Sequence, residues 1–247
     1  MEELLGHKWI GIDPRPSANR VLSSLHESFP YYEANYSHWL PSDKSSSILD
    51  YGCGAGALLQ FLESFGYRNI SGYEPDTRFA SFLRQNSSIP IDSTSDPRTY
   101  LAGHKGRFDL VIVRQVVYYF PRNGLQQWMN ELADLLKPGG RILIEVVNGA
   151  MWTGSWVYHK DPYVQTVFTE PLIRALISTA NLQLSFLGVE KERVTSFKKL
   201  LWTLARRGWF RILSLVFLLE RGNDPSNPSL FGKFLIAVAD KPSPDIP

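Results

Sequence analysis

Short apolar runs alternate with segments of helical spacing along most of the chain. Ser47-Ile48-Leu49-Asp50-Tyr51 is an apolar run that ends in an acid and meets glycines at once. That pattern predicts a buried parallel strand delivering a residue to its C-terminal edge. Leu58, Leu59, Leu62 and Phe65 then recur at helical spacing over 57–65, and Gly66 stops the run. A second strand is predicted over 70–74, a helix capped by Asp76 over 76–85, and a strand over 109–113 with three β-branched residues. A helix over 125–136 ends at Lys137-Pro138-Gly139-Gly140, with a strand over 141–147 behind it. A helix over 170–180, a strand over 183–190 and a last strand over 232–239 complete the series. Strands alternating with helices in this way predict an α/β fold, a mostly parallel Rossmann-like sheet with helices on both faces.

The two ends of this pattern break the rhythm. Residues 1–46 are irregular, with a turn at Asp13-Pro14-Arg15-Pro16, then an aromatic cluster at Phe29, Tyr31, Tyr32, Tyr36 and Trp39, closed by Pro41. One or two short helices are expected there, forming an N-terminal helical lid. Residues 194–228 read as a helical insertion rich in Leu, Trp, Phe and Arg, whose apolar positions do not keep to one helical face. The main domain is therefore expected over 47–193 and 229–241.

Composition narrows the class. The chain has 247 residues, 44% hydrophobic and 20% charged, which excludes a disordered polymer. Its one cysteine, Cys53, excludes an intrachain disulfide and fits a reducing, cytoplasmic compartment. The net charge of +2 hides an uneven distribution: 191–211 holds seven basic residues and one acid, so the rest is mildly acidic. A general nucleic-acid binder is not expected. Met1–Ile10 carries two acids and no apolar stretch of signal-peptide type. The longest charge-free apolar run near the C-terminus, 212–219, is far short of the about 20 residues of a membrane span. The basic, aromatic stretch 194–221 could meet the chain's own body, a second copy of the chain in a homodimer, or an anionic membrane surface.

The most informative stretch is Asp50-Tyr51-Gly52-Cys53-Gly54-Ala55-Gly56 at a strand-to-helix junction. Glycines at alternate positions allow a tight turn and let a ligand approach the backbone, and the helix behind directs free N–H groups at it. Glu74 ends the next strand, where an acid can hold ribose hydroxyls. A nicotinamide dinucleotide and S-adenosylmethionine both suit such a loop. A carboxylate beside a diphosphate would repel it, whereas Asp50 complements an ammonium and a sulfonium. Asp50 favours the methyl donor.

The segments ILDYGCGAG, GYEPD, FDLVIV and LKPGGRILIEVVN together resemble the successive motifs of class I S-adenosylmethionine-dependent methyltransferases, over Ser47–Asn148 and more loosely to the end. The resemblance implies seven strands with the last antiparallel. It implies that Gly52, Gly54 and Gly56 pass under the methionine and ribose, with Cys53 between them and Asp50 steering the ammonium. Glu74 would accept both ribose hydroxyls, Pro75 and Asp76 would flank the adenine, and Asp96 would accept from its amino group, with Asp92 as a fallback. Arg114 and Gln115 would line the methyl-transfer pocket. No metal is implied.

The second half resembles a bacterial branch associated with polysaccharide and sugar modification, through Asn148, Asp161, Phe168-Thr169-Glu170-Pro171-Leu172, Leu200-Leu201-Trp202 and Lys241. It departs from that branch at Lys160, Val164 and Tyr118-Tyr119, where a glycine and two histidines are usual. His159 is then the nearest candidate base, with Asp161 and Tyr119 behind it. Tyr32, Tyr36, Tyr118, Trp152 and Trp156 are candidate contacts for the acceptor, since aromatic faces suit sugars and amphipathic molecules. The reading is O-methylation of a sugar-linked or other small-molecule acceptor. Two alternatives stay open: a non-catalytic domain that keeps the donor pocket for regulation or scaffolding, and a nicotinamide-dependent oxidoreductase.

Overall fold

The computed structural model describes residues 25–192 and 194–243, and within 152–160 not the side chains of Ser155, Val157, Tyr158 and Lys160. The readings of Met1–Ile10 and of the turn at 13–16 lie outside the described residues. A 3-10 turn (His26–Ser28) leads into α1 (Phe29–Tyr36) and a second 3-10 turn (Ser37–Trp39). Then follow β1 (Ile48–Tyr51), α2 (Ala57–Ser64), β2 (Ile70–Tyr73), α3 (Thr77–Asn86), β3 (Ile91–Asp92), α4 (Pro97–Gly103) and β4 (Phe108–Arg114). A 3-10 turn at Val117–Tyr119, α5 (Leu125–Asp134), β5 (Leu136–Val147), α6 (Trp152–Lys160), α7 (Glu170–Thr179), β6 (Gln183–Val189), α8 (Phe197–Arg221) and β7 (Phe234–Asp240) complete the chain.

The strands form one seven-stranded sheet in the order β3-β2-β1-β4-β5-β7-β6. β1 pairs in parallel with both β2 and β4, β2 with β3, and β4 with β5. β7 runs antiparallel between β5 and β6, as the terminal pair of strands implied. Successive residues of β4 serve opposite cores. Val111 and Val113 pack with Trp128, Leu132 and Ile177 on one face, and Leu110 and Ile112 pack with Tyr36, Leu59 and Leu62 on the other. Strands buried on both faces read as continuous apolar runs, which is why the central ones were legible in sequence.

Three elements escaped prediction: β3, α4 and the helix α6, whose stretch carried no helical reading. β3 is only two residues long, and α4 follows it directly. The Asp-Pro start of α4 is a helix N-terminus: Asp96 caps it through Arg98 N and Thr99 N, with Pro97 in the first turn. β5 also starts earlier than expected, at Leu136 rather than Arg141. Its Lys-Pro-Gly-Gly stretch continues along β4 through a register shift between Phe108 and Leu110.

Candidate functional site

Chain order reverses on either side of β1, because β2 lies on one side of it and β4 on the other. At such a switch point the connections leave a crevice beyond the carboxyl ends of the strands. A cavity of about 350 Å³ lies there, lined by the end of β1 and the loop behind it (Asp50 to Ala55), by Glu74, Pro75 and Asp76 after β2, and by Arg114 at the end of β4 with Gln115 and Val116 behind it. Ser28 and Tyr32 close it on one side, and Tyr119, Asp161, Tyr163 and Gln165 on another.

The loop has a backbone that only glycine takes easily. Gly52, Gly54 and Gly56 all have positive φ, at 81°, 52° and 82°. A Cβ on Gly52 would lie 2.3 Å from Val116 Cγ2, and one on Gly56 2.4 Å from Leu83 Cδ2, so these two glycines allow close packing. A Cβ on Gly54 would meet nothing within 4 Å. Gly54 therefore presents bare backbone to open space. Gly56 does not line the cavity; it begins α2 and packs on α3, which corrects the expectation that all three glycines face a ligand.

Two acids stand on either side of this loop. Glu74 is buried, and its carboxylate accepts from Gly54 N at 2.8 Å and Asp76 N at 2.9 Å. Burial raises its pKa, and those two N–H groups oppose the rise. Asp50 is 3% exposed, and among the described residues no hydrogen bond reaches its carboxylate. Burial pushes its pKa up to about 7, the Arg114 guanidinium pulls it back, and Glu74 adds to the rise. A buried carboxylate without a donor is complemented by a cationic ligand that brings its own N–H groups. A diphosphate in the same place would meet two carboxylates, so the site fits a sulfonium amino acid and not a nicotinamide dinucleotide.

Behind Arg114 and Gln115 lies a residue that the sequence reading missed. Glu145, in β5, has no solvent exposure. Its Oε1 accepts from Arg114 Nε at 3.1 Å and Gln115 Nε2 at 3.0 Å, and its Oε2 accepts from the hydroxyls of Tyr31 and Tyr36. Four donors balance the buried charge and fix the cavity wall to α1. Gln115 is held at φ 56°, a left-handed conformation uncommon outside glycine. The signal was present in sequence: a single acid inside the apolar run Ile-Leu-Ile-Glu-Val-Val needs partners if it is buried.

Several candidate residues lie elsewhere than expected. Asp96 is spent on capping α4 and does not line the cavity; the fallback, Asp92, accepts from Thr94 N and Oγ1 and does not line it either. Tyr36 and Tyr118 are core residues, so neither is free to meet an acceptor, whereas Tyr32 does reach the cavity. Trp152, Trp156 and His159 lie exposed on α6, outside the cavity lining. Trp152 meets Trp209 of α8 edge-on, with ring centroids 5.9 Å apart. Cys53 lines the cavity, and burial raises its thiol pKa. Its Sγ would lie 2.7 Å from a Cβ on Gly72, so its small side chain belongs to the packing between loop and β2.

What the structure does bring together is Tyr119 and Asp161. Both line the cavity, and Tyr119 OH donates to Asp161 Oδ2 at 2.9 Å. Asp161 Oδ1 accepts from Tyr163 N at 3.0 Å, which orients the carboxylate. Burial, then the neighbouring Tyr118 and Asp161, raises the Tyr119 pKa, so this phenol holds its proton. The branch-like residues Asn148 and Lys241 are tied to backbone. Asn148 bridges Leu230 O and Ala150 N, and Lys241 Nζ donates to Ala133 O and Leu136 O at the end of α5. Among the described residues no group of three or more His, Cys, Asp or Glu side chains could hold a metal ion.

Comparison with known proteins bears on the family and the fold. The family profile described as a methyltransferase domain matches residues 24–185, well over half of the chain. A ribosomal protein L11 methyltransferase of Burkholderia orbicola is 33% identical over 104 residues, which cover 41% of this chain and 32% of that protein. The chain thus spans about a third of the length of the curated relatives it matches. Among solved structures, a SAM dependent methyltransferase from Archaeoglobus fulgidus superposes with a TM-score of 0.58 at 16% identity, covering 92% of this chain and 96% of that one. Magnesium protoporphyrin IX methyltransferase from Synechocystis PCC 6803, solved with bound SAH, gives 0.52 at 14% identity, covering 97% and 91%. These two likenesses concern the fold. From the family match, supported by the strand order and the acid-flanked glycine loop, the chain belongs to the methyltransferase domain family.

Proposed function

We propose that the chain methylates a hydroxyl oxygen of a small acceptor, a sugar or similar metabolite, at the end of the cavity where Tyr119 and Asp161 meet. The observation that carries this reading is the placement of that hydrogen-bonded pair in the same cavity as Asp50 and Glu74. The donor's amino-acid end would lie against Gly54 and Asp50, its ribose against Glu74, and its base between Phe79 and Pro97, two apolar lining residues. When bound, S-adenosylmethionine supplies an electrophilic methyl group on a positively charged sulfur.

The chain's own residues then have three tasks. Arg114 and Gln115, fixed by Glu145, form the wall between donor and acceptor ends. Asp161 accepts the proton that the acceptor hydroxyl loses as its oxygen bonds to the methyl carbon and the carbon–sulfur bond breaks. Tyr119, kept protonated, donates to Asp161 and holds it in place. His159, outside the cavity lining, is replaced in this role by Asp161.

The test is turnover, read as S-adenosylhomocysteine release, across hydroxylated sugars, sugar nucleotides and small alcohols. Asp161→Asn is expected to lower kcat by about 10²–10⁴-fold. Donor affinity by calorimetry should be little changed in that variant, and His159→Ala should leave kcat unchanged. Wild-type kcat in Asp161→Asn, or donor binding without turnover on any acceptor, would overturn the reading; the second result would favour the non-catalytic alternative.

A further inference from the structure

α8 is a 25-residue helix with two apolar faces, which explains why its sequence showed no single stripe. One face packs inward: Leu213 is buried with Met151 and Phe231, and Phe210 and Phe217 flank that cluster. The other points away from the body. Phe197, Leu201 and Leu204, then Ile212, Leu215 and Leu219 two turns further on, share one side with Gly208 between the two groups, and all six are exposed, Phe197 by 74% and Leu219 by 76%. At about 1.5 Å per residue the helix is about 37 Å long, so the outward stripe forms a ridge in two segments with a gap at Gly208. A monomer in water gains nothing from an apolar ridge of that size.

The charges beside the ridge say what covers it. α8 carries six basic residues and one acid, a net +5, which leaves −3 for the rest of a chain of net +2. Arg206 is paired with Glu192, and Arg221 with Asp224. Arg207 and Arg211, one turn apart, run along one side of the stripe, and among the described residues neither forms an ion pair with an acid. Trp202 and Trp209 lie along the other side, with Trp152 of α6 against Trp209. Two copies of this helix facing one another would bring the arginines of both together with no acid on that face to neutralise them. A surface of anionic lipid headgroups supplies the missing counter-charge, and exposed indoles suit its boundary with the acyl chains.

We propose that the outward face of α8 docks this protein on an anionic membrane surface, the helix lying in the plane of the headgroups. Spanning is not involved, since among the described residues no helix is long and apolar enough to cross a membrane. The ridge inserts its leucines between headgroups while Arg207 and Arg211 hold the lipid phosphates. None of the residues lining the cavity belongs to α8, so docking and donor binding are separate events.

Co-sedimentation with vesicles tests this directly, using phosphatidylcholine alone and phosphatidylcholine containing phosphatidylglycerol. Binding is expected only to the anionic vesicles, weakened by added salt, with a blue shift of tryptophan emission. Arg207→Glu with Arg211→Glu should weaken it by roughly tenfold or more. Leu215→Ser with Leu219→Ser should also weaken it, and both pairs are exposed, so the fold should persist. No binding by the wild-type chain, equal binding to neutral vesicles, or binding that both double variants leave unchanged would overturn the proposal. A dimer in sedimentation velocity that Leu215→Ser/Leu219→Ser dissociates, without vesicle binding, would assign the ridge to a second copy instead.

Discussion

At the end of β1, burial holds the Asp50 carboxyl at about 7, against 3.8 for the same group in water. Between those two values the folded chain keeps a proton that the unfolded chain has lost. The group's contribution to stability is therefore greatest below about pH 4 and declines as the pH rises towards 7. Donor binding runs the other way, because a cation beside Asp50 favours the ionised form. Affinity for S-adenosylmethionine is expected to rise with pH up to about 7 and to level off above it, with a limiting slope of about tenfold per unit. Asp50→Asn should weaken binding by roughly tenfold or more and flatten most of that dependence. Calorimetry across the range settles it: a wild-type affinity independent of pH would remove Asp50 from the site. The importance of Asp50 was legible in sequence, because an acid stood before a glycine loop. Its unsatisfied state was not, since that depends on what neighbouring strands fail to offer.

The loop between β1 and α2 shows how three similar glycines divide their work. Gly54 has open space beside it, and Gly56 has Leu83 there. Both substitutions to alanine meet a left-handed backbone, which costs about 1–2 kcal/mol, but only Gly56→Ala adds a clash with a buried side chain of α3. Gly56→Ala is thus expected to lower Tm more than Gly54→Ala. Gly54→Ala should cost more donor affinity, because Gly54 lines the cavity and Gly56 does not. Thermal melts and calorimetry on the pair check both halves, and equal losses of stability would count against the division. Sequence spacing alone cannot make this distinction, because Leu83 reaches Gly56 only through the packing of α3 on α2. The same limit hid β3 and α4: a two-residue strand has no periodicity, and a capping Asp looks like a ligand-binding one until its helix is seen.

Across the whole molecule, α8 interrupts an antiparallel pair without disturbing it. Val189 at the end of β6 faces Leu235 of β7, so the two ends that the insertion joins are already neighbours. Replacing 194–228 with a short glycine-serine linker should leave donor affinity unchanged. Tm should fall by a few degrees through loss of the small cluster around Leu213. The shortened chain should also lose its affinity for anionic vesicles. A collapse of donor binding in a folded, shortened chain would show that the insertion supports the cavity after all.

The order of elements, the glycine turn and the acids beside it were readable in the chain because each depends on neighbours within a few residues. Apolar periodicity reports which side of an element is buried, and glycine reports where the backbone must turn. The pairing of Tyr119 with Asp161, the burial of Tyr36 and Tyr118, the four donors on Glu145 and the outward placement of His159 all join residues distant in sequence, or depend on the direction a helix takes. Such contacts arise only when strands and helices pack, because a side chain's partners and its hydration are set by the whole fold and not by its own segment.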